Sequence, residues 1–273
     1  MALTLAKLTR PDASKSLARK RLFAQLDTAR NYPLVWISAP AGAGKTTLIS
    51  SYIESINQRS LWYQVDAGDA DMATFFHYLG QAVKGVSRSR KKLPTLTPEY
   101  QLGVPEFTRH YFREVFQRLG APGLLILDNF QDAGHGADLY DMLAGAFGEI
   151  PKGINVIVIS RTDPPRSFAR LIANRKLGLI GWDELRLTVE EELAIARQLY
   201  PARRITRQHL QHLNKHIQGW VTGLILWLEQ GIELGEIELD EEMNQEYLFD
   251  YFLTEIFHQL EPELQQFLIK SAM

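Results

Sequence analysis

Lys45 and Thr46, preceded by Gly42 and Gly44, are the residues of this sequence best suited to chemistry. They close the segment Ala39-Pro40-Ala41-Gly42-Ala43-Gly44-Lys45-Thr46, followed by Thr47, which fits a P-loop with alanine in place of the first glycine. Glycines let a backbone fold into a concave nest whose N–H groups face phosphate oxygens. In that arrangement Lys45 reaches the β and γ oxygens of ATP, and the Thr46 hydroxyl ligates Mg2+. A helix starting at the loop adds its positive N-terminal end. A second candidate is Asp128, the acid that ends the apolar run Leu124-Leu125-Ile126-Leu127. A carboxylate at the C-terminal end of a strand can hold the magnesium shell beside the phosphates. Asn129 follows it, where many P-loop ATPases carry a second acid. An asparagine can hydrogen-bond an attacking water and cannot take its proton, so slow hydrolysis is expected. Arg161, after the run Ile154 to Ile159, is placed at the same rim, where its guanidinium can sense the γ-phosphate. Lys45, Asn129 and Arg161 are therefore the catalytic candidates, Thr46 and Asp128 the metal candidates.

These residues need a scaffold that brings strand ends together. Short apolar runs at 34–38, 61–65, 124–127 and 154–159 read as buried strands, with one more at 177–180. Helical patterns at 46–56, 74–83 and 106–119 lie between them, the last with apolar residues at Phe107, Tyr111, Phe112, Val115, Phe116 and Leu119. Alternating strands and helices predict a parallel sheet covered on both faces, an α/β fold. Past Pro164-Pro165 the pattern becomes helical. Thr188 to Glu191 forms a capping-box signature opening a helix through Leu199, with further helices at 208–217 and 221–229. An acidic linker is expected at 233–242, then helices at 247–260 and 263–272. The chain stops at Met273 inside an apolar pattern without cap or polar tail, and is read as ending within a domain.

Composition bounds the function. The chain has 273 residues, a net charge of −2 and no cysteine, which excludes disulfides and thiolate metal sites. A DNA-binding surface usually shows a basic excess, and none is present. There is no secretory leader and no apolar run long enough to span a membrane, so a cytoplasmic location is expected. His209, His212 and His216 share one helical face, but Arg203, Arg204, Arg207 and Lys215 crowd the segment and no acid follows at ligand spacing, so a solvated face is preferred to a metal site. The basic run from Ser87 to Lys92 reads as an exposed loop rather than a nucleic-acid contact. The aromatics of 106–119 read as core.

Taken in order, several stretches resemble one family. They are Lys7-Leu8-Thr9-Arg10-Pro11, Arg19-Lys20-Arg21-Leu22, the P-loop, and Trp62-Tyr63-Gln64-Val65-Asp66-Ala67-Gly68-Asp69. They continue through Leu127-Asp128-Asn129-Phe130-Gln131, Ser160-Arg161, Gly219-Trp220-Val221-Thr222-Gly223-Leu224, Tyr247 to Phe252 and Phe267 to Ala272. The sequence resembles the STAND ATPases, in the branch of MalT-like transcriptional regulators. The resemblance implies a P-loop nucleotide-binding domain (1–165), an all-α helical domain (166–235) and the beginning of a winged-helix domain (236–273). It implies a switch that rests with ADP as a monomer, and self-associates when an unknown inducer and ATP are bound. DNA is then bound only through domains outside this segment. It also places Arg19 or Arg21 beside the adenine. Relatives carry a Gly-x-Pro element that contacts ADP, and its counterpart here, Gly219-Trp220-Val221, lacks the proline. The residues alone leave two other readings open: a P-loop hydrolase or phosphotransferase working by turnover, and a nucleotide-binding assembly module with negligible catalysis.

Overall fold

The computed structural model describes residues 5–87, 89, 91–97, 103–133, 137–202 and 204–233. The expected winged-helix start, the helices at 247–260 and 263–272, and all of the expected linker but Glu233 lie outside them. So do Arg88 and Arg90 of the basic run. The chain divides into two compact units, one of residues 1–40 with 45–185, the other of Ala41–Gly44 with the chain from Arg186 onward.

The first unit is built on five parallel strands: β1 (Leu34–Ser38), β2 (Ser60–Gln64), β3 (Gly123–Asp128), β4 (Ile154–Ser160) and β5 (Leu177–Ile180). Their order across the sheet is β2-β3-β4-β1-β5. Side chains alternate between faces along a strand. Leu34, Trp36, Leu125, Leu127, Val156 and Val158 enter one core cluster. The alternate residues Val35, Ile37, Leu124, Ile126, Ile157 and Ile159 are equally buried. A sheet buried on both faces reads as continuous apolar runs, and this is why the strands were legible.

Helices α1 (Lys20–Ala29), α2 (Lys45–Ile56), α3 (Met72–Val86), α4 (Val104–Leu119) and α5 (Ala137–Phe147) supply the cover, followed by short α6 (Ala169–Ala173) and α7 (Trp182–Leu185). The expected aromatic stripe of α4 is core: Phe107, Tyr111, Phe112, Val115, Phe116 and Leu119 are all buried. Helices α1 and α5 were not among the sequence expectations. Each carries a helical stripe, Leu22, Leu26 and Ala29 in one, Leu139, Met142, Leu143, Ala146 and Phe147 in the other. Lys7 ties the N-terminal segment to this unit through Asp69 Oδ2 at 2.7 Å, and Tyr63 donates its hydroxyl to Asp69 Oδ1 at 2.7 Å.

The second unit contains α8 (Val189–Leu199), α9 (Arg207–Ile217) and α10 (Val221–Glu233). The capping box is present: Thr188 Oγ1 accepts from the Glu191 N–H at 3.2 Å, and Glu191 Oε2 accepts from the Thr188 N–H at 3.1 Å. Leu187, Ala196, Leu210, Leu213, Ile217, Leu224, Trp227 and Leu228 form the core of the unit. In α9, His209 Nδ1 accepts from the Thr206 N–H at 3.4 Å and serves as part of a cap. Gly219 joins α9 to α10 at φ +77°, and a Cβ there would lie 2.7 Å from the Leu187 carbonyl oxygen, so only glycine fits. Among the described residues no helix is long and apolar enough to cross a membrane.

Candidate nucleotide-binding site

All strand pairings are parallel, so the residues that follow β1, β3 and β4 emerge along one rim. Ser38 is in register with Ser160, and Gln64 with Asp128. The P-loop leaves β1 at Ala39, whose N–H donates to the Ser160 carbonyl at 3.4 Å. It turns through Gly42 and Gly44, with φ of +69° and +78°. Such left-handed conformations suit glycine and alternate amide directions as a nest requires. Helix α2 then begins at Lys45, with Thr47 exposed in its first turn.

Lys45 curls back over its own loop. Its Nζ donates to the Ala39 carbonyl at 2.6 Å and to the Pro40 carbonyl at 2.8 Å. An ammonium group has three hydrogens, and these bonds use two. Burial, and after it the nearby Arg161 guanidinium, lower the Lys45 ammonium to about 8, opposed by Asp128. Arg161 therefore stands close enough for its charge to act on Lys45. Its own N–H donates to Gln131 Oε1 at 2.9 Å. Gln131 thus joins the turn after β3 to the turn after β4, a role the sequence did not signal beyond membership of a matching stretch.

Asp128 is 1% exposed. Burial raises its carboxyl, against the Thr46 hydroxyl, the Asn129 N–H and Lys45, which each favour the carboxylate. Thr46 donates to Asp128 Oδ1 at 3.0 Å, and so does the Asn129 N–H at 3.0 Å. Asn129 itself adopts φ +55°, a left-handed conformation that asparagine tolerates better than most residues.

These groups fit the ligands the motif implies. A hydroxyl and a carboxylate side by side are hard oxygen donors of the kind magnesium takes. A buried carboxylate whose proton affinity is raised has a cation to gain, and a buried lysine with a depressed pKa has an anion to gain. Arg19 and Arg21 both reach backbone carbonyls of α7. Arg19 is buried and donates from Nη2 to the Leu185 carbonyl at 2.8 Å, and Arg21 from Nη1 to the Glu184 carbonyl at 2.8 Å.

Within the second unit, the P-loop turn meets the start of α10. Trp220 Nε1 donates to the Ala41 carbonyl at 2.9 Å, and Thr222 Oγ1 to the Gly42 carbonyl at 3.0 Å. Neither residue was among the sequence-expected site residues. The signal available was the stretch Gly219 to Leu224, read only as part of the resemblance.

Known proteins resemble this chain in sequence and in fold. The family described as nephrocystin 3, N-terminal, matches residues 14–161. The HTH-type transcriptional regulator MalT of Cronobacter sakazakii is 28% identical over 284 residues, covering 98% of this chain and 30% of the regulator. The MalT of Vibrio campbellii is 27% identical over 278 residues, with the same coverage of 98% and 30%. The chain thus spans about a third of the length of these relatives. Among solved structures, a signal transduction ATPase with numerous domains and a tetratricopeptide repeat sensor, from Pyrococcus horikoshii, superposes with a TM-score of 0.59 at 19% identity, covering 96% of this chain and 35% of that one. A Walker-type ATPase of Pyrococcus abyssi gives a TM-score of 0.63 at 12% identity, covering 98% and 80%. With its P-loop, its parallel sheet and these relatives, the chain belongs to the nephrocystin 3 N-terminal family and is an ATP-binding P-loop NTPase-like module related to the MalT regulators.

Proposed function

We propose that this chain is the nucleotide switch of a transcription regulator: it binds ATP or ADP with magnesium, hydrolyses ATP slowly, and through its nucleotide state controls self-association. The observation that carries the reading is the cluster of Lys45, Thr46 and Asp128 where the P-loop meets the end of β3. In it Lys45 offers its charge to the β and γ phosphates. Thr46 and Asp128 would hold magnesium, which supplies charge neutralisation at the phosphates when bound. Arg161, whose charge acts on Lys45, would respond to the γ-phosphate. Asn129 orients water without accepting its proton, which keeps hydrolysis slow and suits a switch better than a turnover enzyme. The resemblance adds an adenine neighbour, Arg19 or Arg21, of which Arg19 is the buried one. DNA, in this reading, is contacted by other parts of the regulator, under an inducer of unknown identity.

The test is to identify the nucleotide that copurifies and to measure single-turnover hydrolysis. ADP or ATP retained at stoichiometric amounts, with turnover well below one per second, is expected. Turnover of about 1–100 per second would instead mark a phosphotransferase or hydrolase. Loss of most ATP affinity in Lys45→Ala, read by calorimetry, completes the test; unchanged affinity would refute the P-loop assignment.

A further inference from the structure

The P-loop is gripped from its carbonyl side. Trp220 Nε1 donates to Ala41 O at 2.9 Å, and Thr222 donates twice to Gly42 O, from Oγ1 at 3.0 Å and from its N–H at 3.2 Å. The Thr222 N–H belongs to the first turn of α10, where an amide has no partner within its own helix. The approach is close. A Cβ on Gly42 would lie 2.3 Å from Thr222 Oγ1, and one on Gly44 would lie 3.3 Å from Val221 Cγ2.

A trans peptide is planar, so a carbonyl and the following N–H point in opposite directions. Holding Ala41 O against Trp220 therefore turns the Gly42 N–H away from α10. Holding Gly42 O against Thr222 does the same for the Ala43 N–H. Amides of this loop are what a phosphate nest is made of. We infer that Trp220 and Thr222 are positioning residues for the phosphate nest: by fixing the two peptide planes around Gly42, they aim its N–H groups and raise affinity for nucleotide phosphates. The inference rests on the nucleotide-binding reading above and adds to it a mechanical link between α10 and the loop. Such a link is reciprocal, so bound phosphate must in turn hold the start of α10. Neither side chain needs to touch the ligand.

The experiment compares the unaltered chain with Thr222→Val, Thr222→Ser and Trp220→Phe. ATP and ADP affinities are measured by calorimetry, with and without magnesium, and amide hydrogen exchange is followed at the first turn of α10. Thr222→Val keeps the shape and loses the hydroxyl, and Trp220→Phe loses the indole donor. Each should weaken both nucleotides about three- to tenfold, the effect of one well-made hydrogen bond. The loss should be the same with and without magnesium, unlike a loss from the metal shell. Thr222→Ser, which restores the hydroxyl, should bind like the unaltered chain. ADP should slow exchange of the Thr222 amide in the unaltered chain and do so less in Trp220→Phe. A general loss of folding would weaken Thr222→Ser as well, and thermal melting identifies it. Nucleotide binding by the unaltered chain that is indifferent to both Thr222→Val and Trp220→Phe would overturn this proposal alone, as would a serine variant that melts like the unaltered chain and binds as weakly as the valine. No nucleotide binding by the unaltered chain would overturn the function itself and this proposal with it.

Discussion

Thr46 donates its hydroxyl hydrogen to Asp128 Oδ1 at 3.0 Å, joining the start of α2 to the end of β3. The bond sets two hard oxygen donors side by side in a buried place, where Asp128 is 1% exposed. If the pair holds magnesium, its loss must appear only when the metal is present. Asp128→Ala should weaken magnesium-dependent ATP binding and leave ADP binding in chelator almost intact. Equal losses with and without magnesium, measured by calorimetry, would remove Asp128 from the metal shell.

Lys45 gives a prediction in pH. Burial and Arg161 lower its free ammonium to about 8. Below that pH the lysine is charged before and after binding and contributes no pH dependence to ATP affinity. Above it the free protein loses the proton, whereas a phosphate beside the ammonium favours keeping it. Binding then takes up a proton, and affinity should fall by up to about tenfold per pH unit. Calorimetry in two buffers of different ionisation enthalpy reads the proton directly. Affinity that stays level to about pH 9.5, with no uptake, would refute this proton linkage between Lys45 and the phosphates.

Asn129 follows the metal candidate with its backbone at φ +55°. A carboxylate there would supply the base the site lacks. Asn129→Asp should raise single-turnover hydrolysis, by about a hundredfold for a well-placed base and less for a poorly aligned one. Affinity should change little. An unchanged or lower rate would mean that the position faces away from the attacking water.

Glu192 lies in the first turn of α8 and is fully buried, with neither carboxylate oxygen hydrogen-bonded among the described residues. Burial first, then Glu190 and Glu191, raise its carboxyl to about 7 from an ordinary 4.5. The unfolded chain therefore releases this proton at lower pH than the folded one, and stability contributed by the neutral carboxyl is lost as pH rises through that interval. Glu192→Met keeps an unbranched side chain and removes the charge. At pH 8 it should stabilise the fold by about 2 kcal/mol, with little gain at pH 4. Thermal melts at the two pH values check the sign, and a variant destabilised at pH 8 would contradict it.

The sequence by itself determined the local features. The P-loop, the strands, the capped start of α8 and the aromatic stripe of α4 depend on turn residues and periodicities of a few positions, and those are written in neighbouring residues. Helices α1 and α5 carried the same periodicity and show that a short stripe beside polar or glycine-rich sequence is easily passed over. Tertiary structure alone decided the rest. The sheet order β2-β3-β4-β1-β5 brings Thr46 to Asp128 across 82 positions, and packing brings Trp220 to Ala41 across 179. No periodicity encodes such pairs. They are selected by which apolar faces bury one another, and the hydrogen bonds then form between whatever donors and acceptors that burial leaves in reach. A motif therefore named Lys45 and Thr46 from spacing alone, whereas the grip of Trp220 and Thr222 on the loop carbonyls depends on three-dimensional packing.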